Sequence, residues 1–259
     1  MECKELSNCQ TNTCYKRQLH SEFNSDLLSV HANMDLSFFN SVGRLQEANY
    51  TPNDEDIQMV RIRTTGSDRI AFQLDQTTLT VVDTGGERAE RKKWGLIFGK
   101  HFGSKLDGAH VFIVDISAYD LALYEDLAGN RLTEDLLLFE SIVNRQILES
   151  VLGDWPTILV FTKLDILESK IAKFSFKKRF HDFTGDEGSL EDVKLYMENR
   201  FLSRIREPNQ SIPVVYTRLF SSDNNLAVPS PAKLVLDAIM NCHSDIRHNQ
   251  AIHGSTLGG

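Results

Sequence analysis

Three short stretches carry residues whose types and spacing could do chemistry. The first is Thr78 to Trp94, TLTVVDTGGERAERKKW, where a β-rich apolar run (Leu79, Val81, Val82) meets an acid, two glycines and a charged, helix-prone segment. Paired glycines let the backbone approach a ligand, so an N–H at Gly86 could face an anion while Asp83, at the strand's end, faces a cation. An ordinary strand-to-helix turn would read the same way. The second stretch, Met59 to Gly66 (MVRIRTTG), sets Arg61 near Thr64; an arginine stays charged and spreads its donors over several oxygens, but an exposed edge strand also alternates in this manner. The third, Thr162-Lys163-Leu164-Asp165, follows the apolar run TILVF.

These stretches need elements to hold them. Arg69 to Leu74 and Thr78 to Asp83 read as an antiparallel hairpin turning at Asp75-Gln76, followed by a helix around Ala89 to Phe98. Ala109 to Ile116 (AHVFIVDI) and Thr157 to Phe161 are continuous apolar runs, suited to parallel strands buried on both faces. Asn130 to Leu152 is a long helix with Leu132, Leu136, Phe139, Val143 and Ile147 as its core stripe. A charged loop over 174–188, a helix over 190–205, a last strand over 212–219 and a helix over 232–242 complete the series. Upstream, Leu36, Phe38, Phe39, Val42 and Leu45 share one helical face that stops at Asn49-Tyr50-Thr51-Pro52. Residues 1 to about 30 are polar without a sustained period, and read as weakly ordered.

Composition narrows the class. With 259 residues and 41% apolar content the chain can build one sizeable core and a small satellite. A net charge of −8 speaks against a nucleic-acid partner, which needs a clustered basic surface. No run reaches the ~20 apolar residues of a membrane helix, and the N-terminus lacks a signal-peptide apolar region, so a cytoplasmic location is expected. The four cysteines show no C-x-x-C spacing; reduced thiols are expected, with a zinc site at Cys9, Cys14 and His20 as the alternative. Glu at position 2 does not meet the myristoylation pattern.

In this order the three stretches resemble heterotrimeric G-protein alpha subunits. Asp83-Thr84-Gly85-Gly86-Glu87-Arg88, then Arg91, Lys92, Lys93 and Trp94, resembles that family's switch II, D-x-G-G-Q-R with a basic stretch and Trp. Arg61 to Gly66 resembles switch I, R-x-(K/R)-T-T-G, and Ser117-Ala118-Tyr119-Asp120 resembles S-x-Y-D. Thr162-Lys163-Leu164-Asp165 resembles the guanine-reading N-K-x-D. The resemblance covers roughly residues 30 to 248.

It implies an α/β fold with a P-loop GTPase-like doubly wound sheet over 57–248, a remnant of the all-helical inserted domain over 1–56, and a flexible tail over 249–259. It implies GTP or GDP with Mg²⁺ as ligands and GTP hydrolysis as the family activity, a standard example of phosphoryl transfer by positioning and charge. By matching position Arg61 is the transition-state finger, Glu87 stands for the catalytic glutamine, Thr64 and Asp83 face Mg²⁺, and Gly85 and Gly86 face phosphate. Lys163 and Asp165 would take the base, with Thr162 in the asparagine's place and Ser221 and Ser222 beneath it. A carboxylate can accept two hydrogen bonds from guanine while a lysine stem packs along the ring. Arg88, Arg91, Lys92 and Trp94 would meet a beta-gamma dimer. Receptor and effector are further implied partners, and they would bring the protein to the inner face of the plasma membrane.

The sequence departs from the family in two ways. No register of 99–107 gives G-x-x-x-x-G-K-[ST], and residues 1 to 55 hold no buried-strand run leading into such a loop. The loop's amides, lysine and serine hold triphosphate and metal in the family, so nucleotide binding is expected to be impaired; Glu87, unable to donate when ionised, impairs hydrolysis further. The family's first strand lies between those placed here at 78–83 and 110–115, so its absence would leave backbone unpaired on both sides. Three readings stand at this point: an alpha-subunit-like GTPase relative, a nucleotide-independent protein that binds beta-gamma or an effector through switch II, and an incomplete gene product.

Overall fold

The computed structural model describes residues 41–59, 64–74, 77–101, 108–123, 129–144, 155–207, 210–218 and 230–242. Arg61, Ser221 and Ser222, the polar start and the tail lie outside these residues. The described residues divide into two compact units, one within Ile62–Ser117 and Asp135–Gly259, the other within Met1–Arg61 and Ala118–Glu134.

In the larger unit, β1 (Ser67–Leu74) and β2 (Thr77–Thr84) form the expected antiparallel hairpin, in register from Ser67 opposite Thr84 to Leu74 opposite Thr77. The single helix expected over 89–98 is two helices, α2 (Arg88–Arg91) and α3 (Trp94–His101), α1 being Asp54–Met59 in the other unit. The break is a tertiary effect. Trp94 is drawn inward against Ile97, Phe98, Phe112, Leu138 and Ile142, and its indole N–H reaches a backbone carbonyl at Gly85. Helical periodicity alone could not show that pull.

The second sheet is parallel and ordered β3 (His110–Asp115), β4 (Thr157–Thr162), β5 (Val214–Tyr216). Its middle strand is buried from Thr157 to Phe161, as the apolar run TILVF requires. Successive side chains of β4 enter different layers. Ile158 and Val160 pack with Cys242 and with Val235, Ala238 and Ile239 of a helix spanning 231–242. Phe161 meets Phe201 edge-on at 5.3 Å and stacks on Tyr216 at 5.5 Å. Phe201 belongs to α6 (Leu190–Leu202), which starts where the Ser189 hydroxyl accepts from the Asp192 N–H. Phe139 of α4 (Arg131–Val143) joins at 5.4 Å from both Phe201 and Phe112. Each such ring withdraws apolar area worth about 1.5–3 kcal/mol.

One expectation is corrected here. The run 109–116 reads as a strand buried on both faces, but Ile113 is 63% exposed and Val111 36%, while Val114 is fully buried. Among the described residues β3 pairs only with β4 and β2 only with β1, and alternate side chains of β3 lie open to solvent. Apolar content alone does not distinguish one covered face from two.

In the smaller unit, Asn130 seats the start of α4 by accepting from the Thr133 N–H at 3.0 Å and donating to the carbonyls of Tyr119 and Leu121. The Arg44 guanidinium and the Asp56 carboxylate form a two-pronged pair, both contacts at 2.6 Å, joined by the Tyr50 hydroxyl and the Asn53 N–H. No described helix is long and apolar enough to cross a membrane.

Candidate functional site

Parallel strands end at a shared edge, the usual place for ligands in α/β sheets. Asp115 ends β3 directly opposite Thr162, which ends β4. Lys163 is the next residue and the only described non-glycine residue with positive φ, at 64°. It caps α5 (Leu164–Ile171): its carbonyl accepts from the N–H groups of Ile166 and Leu167, and the adjacent Leu164 N–H donates to Thr217 O beyond β5. A left-handed lysine is uncommon and costs on the order of 1 kcal/mol, which marks the turn as held by its surroundings.

Lys163 Nζ donates to Asp115 Oδ2 at 2.7 Å, with the lysine side chain 28% and the aspartate 17% exposed. The other oxygen, Oδ1, accepts from the Ser117 N–H at 3.1 Å and its hydroxyl at 2.6 Å. Below the edge, the buried Lys170 donates from Nζ to Ser117 O at 2.9 Å. Asp165, half-buried in the first turn of α5, completes the group at the end of β4. No motif singles out Asp115; its signal in the sequence is an acid ending an apolar strand, the pattern that Asp83 also shows.

The second group surrounds the glycine pair. Gly85 N donates to Gly66 O at 3.1 Å, Gly66 N donates to Glu90 Oε2 at 2.9 Å, and Lys93 Nζ donates to Glu90 Oε1 at 2.7 Å. Trp94 Nε1 closes the ring of contacts on Gly85 O at 3.0 Å. The segment containing Thr64 is thereby fastened to the turn after β2. Glu90, 5% exposed, is its hub; among so many charged neighbours it reads in sequence as a solvated residue.

Of the remaining candidates, Gly86 and Asp83 are exposed, Gly86 with its carbonyl taken by Arg91 Nε at 2.8 Å. Glu87 stands half-buried as the residue before α2. Arg88 and Lys92 are exposed, whereas Trp94 is only 7% exposed and supports this surface from beneath. Thr64 and Asp83 supply hard oxygen donors of the kind Mg²⁺ takes. Among the described residues no group of three or more His, Cys, Asp or Glu could hold a metal ion.

Comparison with known proteins bears on both groups. The family profile described as G-protein alpha subunit matches residues 2–230. The chain is similar to the guanine nucleotide-binding protein alpha-1 subunit of Saccharomyces cerevisiae, 32% identical over 78% of this chain and 39% of that protein. It is also similar to guanine nucleotide-binding protein subunit alpha-12 of Homo sapiens, 33% identical over 72% of this chain and 46% of the relative. A third relative, the alpha-3 subunit of Caenorhabditis elegans, is 32% identical over 78% of this chain and 52% of its own length. The chain thus spans about half, or less, of the curated relatives it matches.

Proposed function

Because this chain belongs to the G-protein alpha subunit family, we propose that it is a guanine-nucleotide-binding signalling protein whose base side and switch segments outlast its phosphate chemistry. On this reading the larger unit is a GTPase-like doubly wound domain, and the residues before it are a remnant of the helical domain. The observation that carries the proposal is the Thr162–Asp165 turn: a left-handed lysine and an acid at the end of the central parallel strand. Lys163 and Asp165 then take guanine, Thr162 stands beside them, and Ser221 and Ser222 approach the base.

Gly86 faces phosphate, while Gly85, its N–H on Gly66 O and its carbonyl on Trp94 Nε1, packs behind it and corrects the expectation that both glycines face the ligand; Thr64 and Asp83 share Mg²⁺ with phosphate, and Arg61 serves as finger. Glu87 replaces a hydrogen-bond donor with a charge that repels the γ-phosphate. These 259 residues contain no G-x-x-x-x-G-K-[ST] loop to cradle the phosphates that GTP and GDP share, so their binding of either is weak, and Glu87 makes hydrolysis weaker still. Titration of a fluorescent GTP analogue with Mg²⁺ tests this. Weak binding that falls about tenfold or more in Asp165→Asn is expected, since a hydrogen bond to a charged group is worth about 1.5–3 kcal/mol. Tight binding would overturn the impairment, and indifference to Asp165→Asn would overturn the base site.

The second reading, a nucleotide-independent partner of a beta-gamma dimer or effector, is favoured by one observation. Arg88 and Lys92 stand exposed above the buried Trp94, which presents a basic surface on an ordered base. Arg88, Arg91 and Lys92 would then meet the partner over a base formed by Trp94. Association with a beta-gamma dimer in nucleotide-free buffer, lost in the double variant Arg88→Glu/Lys92→Glu, is the expected result. Receptor and effector contacts on the cytoplasmic face of the plasma membrane belong to either reading.

A further inference from the structure

The ion pair at the sheet edge is built in one direction. Each Asp115 oxygen has its own partner, and the two Ser117 bonds to Oδ1 fix the carboxylate whether or not a lysine is present. Ser117 is itself 5% exposed and tied by its carbonyl to the buried Lys170, so the anchor is part of the core. Lys163, by contrast, has a flexible four-carbon stem that would wander in solvent. Its backbone end is set by the left-handed turn and the start of α5, and its ammonium end by Asp115 Oδ2. Pinned at both ends, the methylenes form a fixed apolar bar along the C-terminal edge of β3 and β4.

We propose that Asp115 is a positioning residue for base recognition: it holds the Lys163 stem as a preformed rail against which the flat face of a guanine ring lies. This rests on the guanine-site reading above and names a residue that the motif itself does not contain. A partly exposed pair contributes up to about fivefold in an equilibrium constant. GDP and GTP should be affected equally, because the rail touches the base and not the phosphates.

The test uses the full chain and two readouts. The first needs no nucleotide: labelling of lysines by an amine-acylating reagent, followed by peptide mass spectrometry. Lys163 should react slowly relative to the exposed Lys92, and its rate should rise several-fold in Asp115→Asn without change at Lys92. Unchanged labelling of Lys163 overturns the proposal. The second readout is affinity for fluorescent GDP and GTP analogues in Asp115→Asn, Lys163→Met and the double variant. The expected result is a loss of about fivefold for both nucleotides in Asp115→Asn, with no further loss when it is added to Lys163→Met. Independent, multiplying losses in the double variant would mean that Asp115 does not act through Lys163, and the proposal falls. Partial recovery in Asp115→Glu, which keeps the charge, supports positioning over folding, and circular dichroism of each variant checks the fold. If the wild-type chain binds neither nucleotide while Lys163 is still protected, the guanine-site reading fails and this use of the pair fails with it; the labelling alone would then show that the pair exists.

Discussion

A Cβ placed on Gly85 would stand 2.6 Å from the Thr64 carbonyl oxygen and 2.7 Å from Glu90 Cγ. The first of these is backbone and cannot swing away. Gly85→Ala should therefore destabilise the chain by about 1–3 kcal/mol, read as a lower urea midpoint, and should loosen the segment holding Thr64 from the turn. Gly86 has nothing within 4 Å of such a Cβ, so Gly86→Ala should leave the midpoint nearly unchanged. The pair of glycines is thus two different requirements: close packing at the first, and open space at the second. Asp56 is the other residue whose surroundings set its chemistry. The Arg44 guanidinium, then the Asn53 N–H, hold its carboxyl well below the usual carboxylate range. A depressed acid contributes stability above its unfolded-state value and loses it as pH falls through the folded one. Asp56→Asn should accordingly lower the thermal midpoint at neutral pH and bring little change in strong acid.

At the scale of elements, the three parallel strands are unequal. β4 is buried from Thr157 to Phe161 and flanked on both sides, whereas β3 has one open face and β1–β2 carries Ile70, Phe72 and Val81 exposed at 57%, 51% and 47%. Ile70 lies opposite Val81, which places an apolar stripe on one face of the hairpin. Amide hydrogen exchange should follow this ranking, with Ile158 to Phe161 slowest and the hairpin fastest among the strands. Equal protection of β2 and β4 would mean that the two sheets are stabilised as one.

For the molecule as a whole, acid sensitivity should begin unusually early. Burial pushes His110 from 6.5 to about 4; its Nε2 has no hydrogen-bond partner among the described residues, and its ring lies 5.5 Å from that of Trp155. The unfolded chain then takes up a proton that the folded one refuses, so stability falls as pH drops from 6.5 towards 4, by roughly 3 kcal/mol at most, and this loss levels off below. Below that window the depressed carboxylates take over. Asp56 is held down by Arg44, Asp182 by the hydroxyl of Tyr196, and Glu187 by that of Ser175. Urea unfolding against pH should show two successive losses, and His110→Phe should remove the upper one alone. If the variant keeps the upper limb, another group is responsible.

Local patterning was enough to mark the hairpin, the buried run of β4, the stripe of α4 and the helix before Cys242, because these follow from side-chain period and apolar content. The Asp83 to Trp94 stretch and Thr162 to Asp165 were legible as turns from a strand into a helix, because glycine and acid at a strand's end have a limited set of uses. What the sequence could not state was pairing across distance. That Asp115 reaches Lys163, that Glu90 joins Gly66 to Lys93, that Trp94 breaks a helix to meet Gly85, and that among the described residues β3 pairs with β4 alone all depend on which segments the fold brings together. Ion pairs, ring contacts and close approaches of a few ångströms are properties of that arrangement, and no spacing along the chain encodes them.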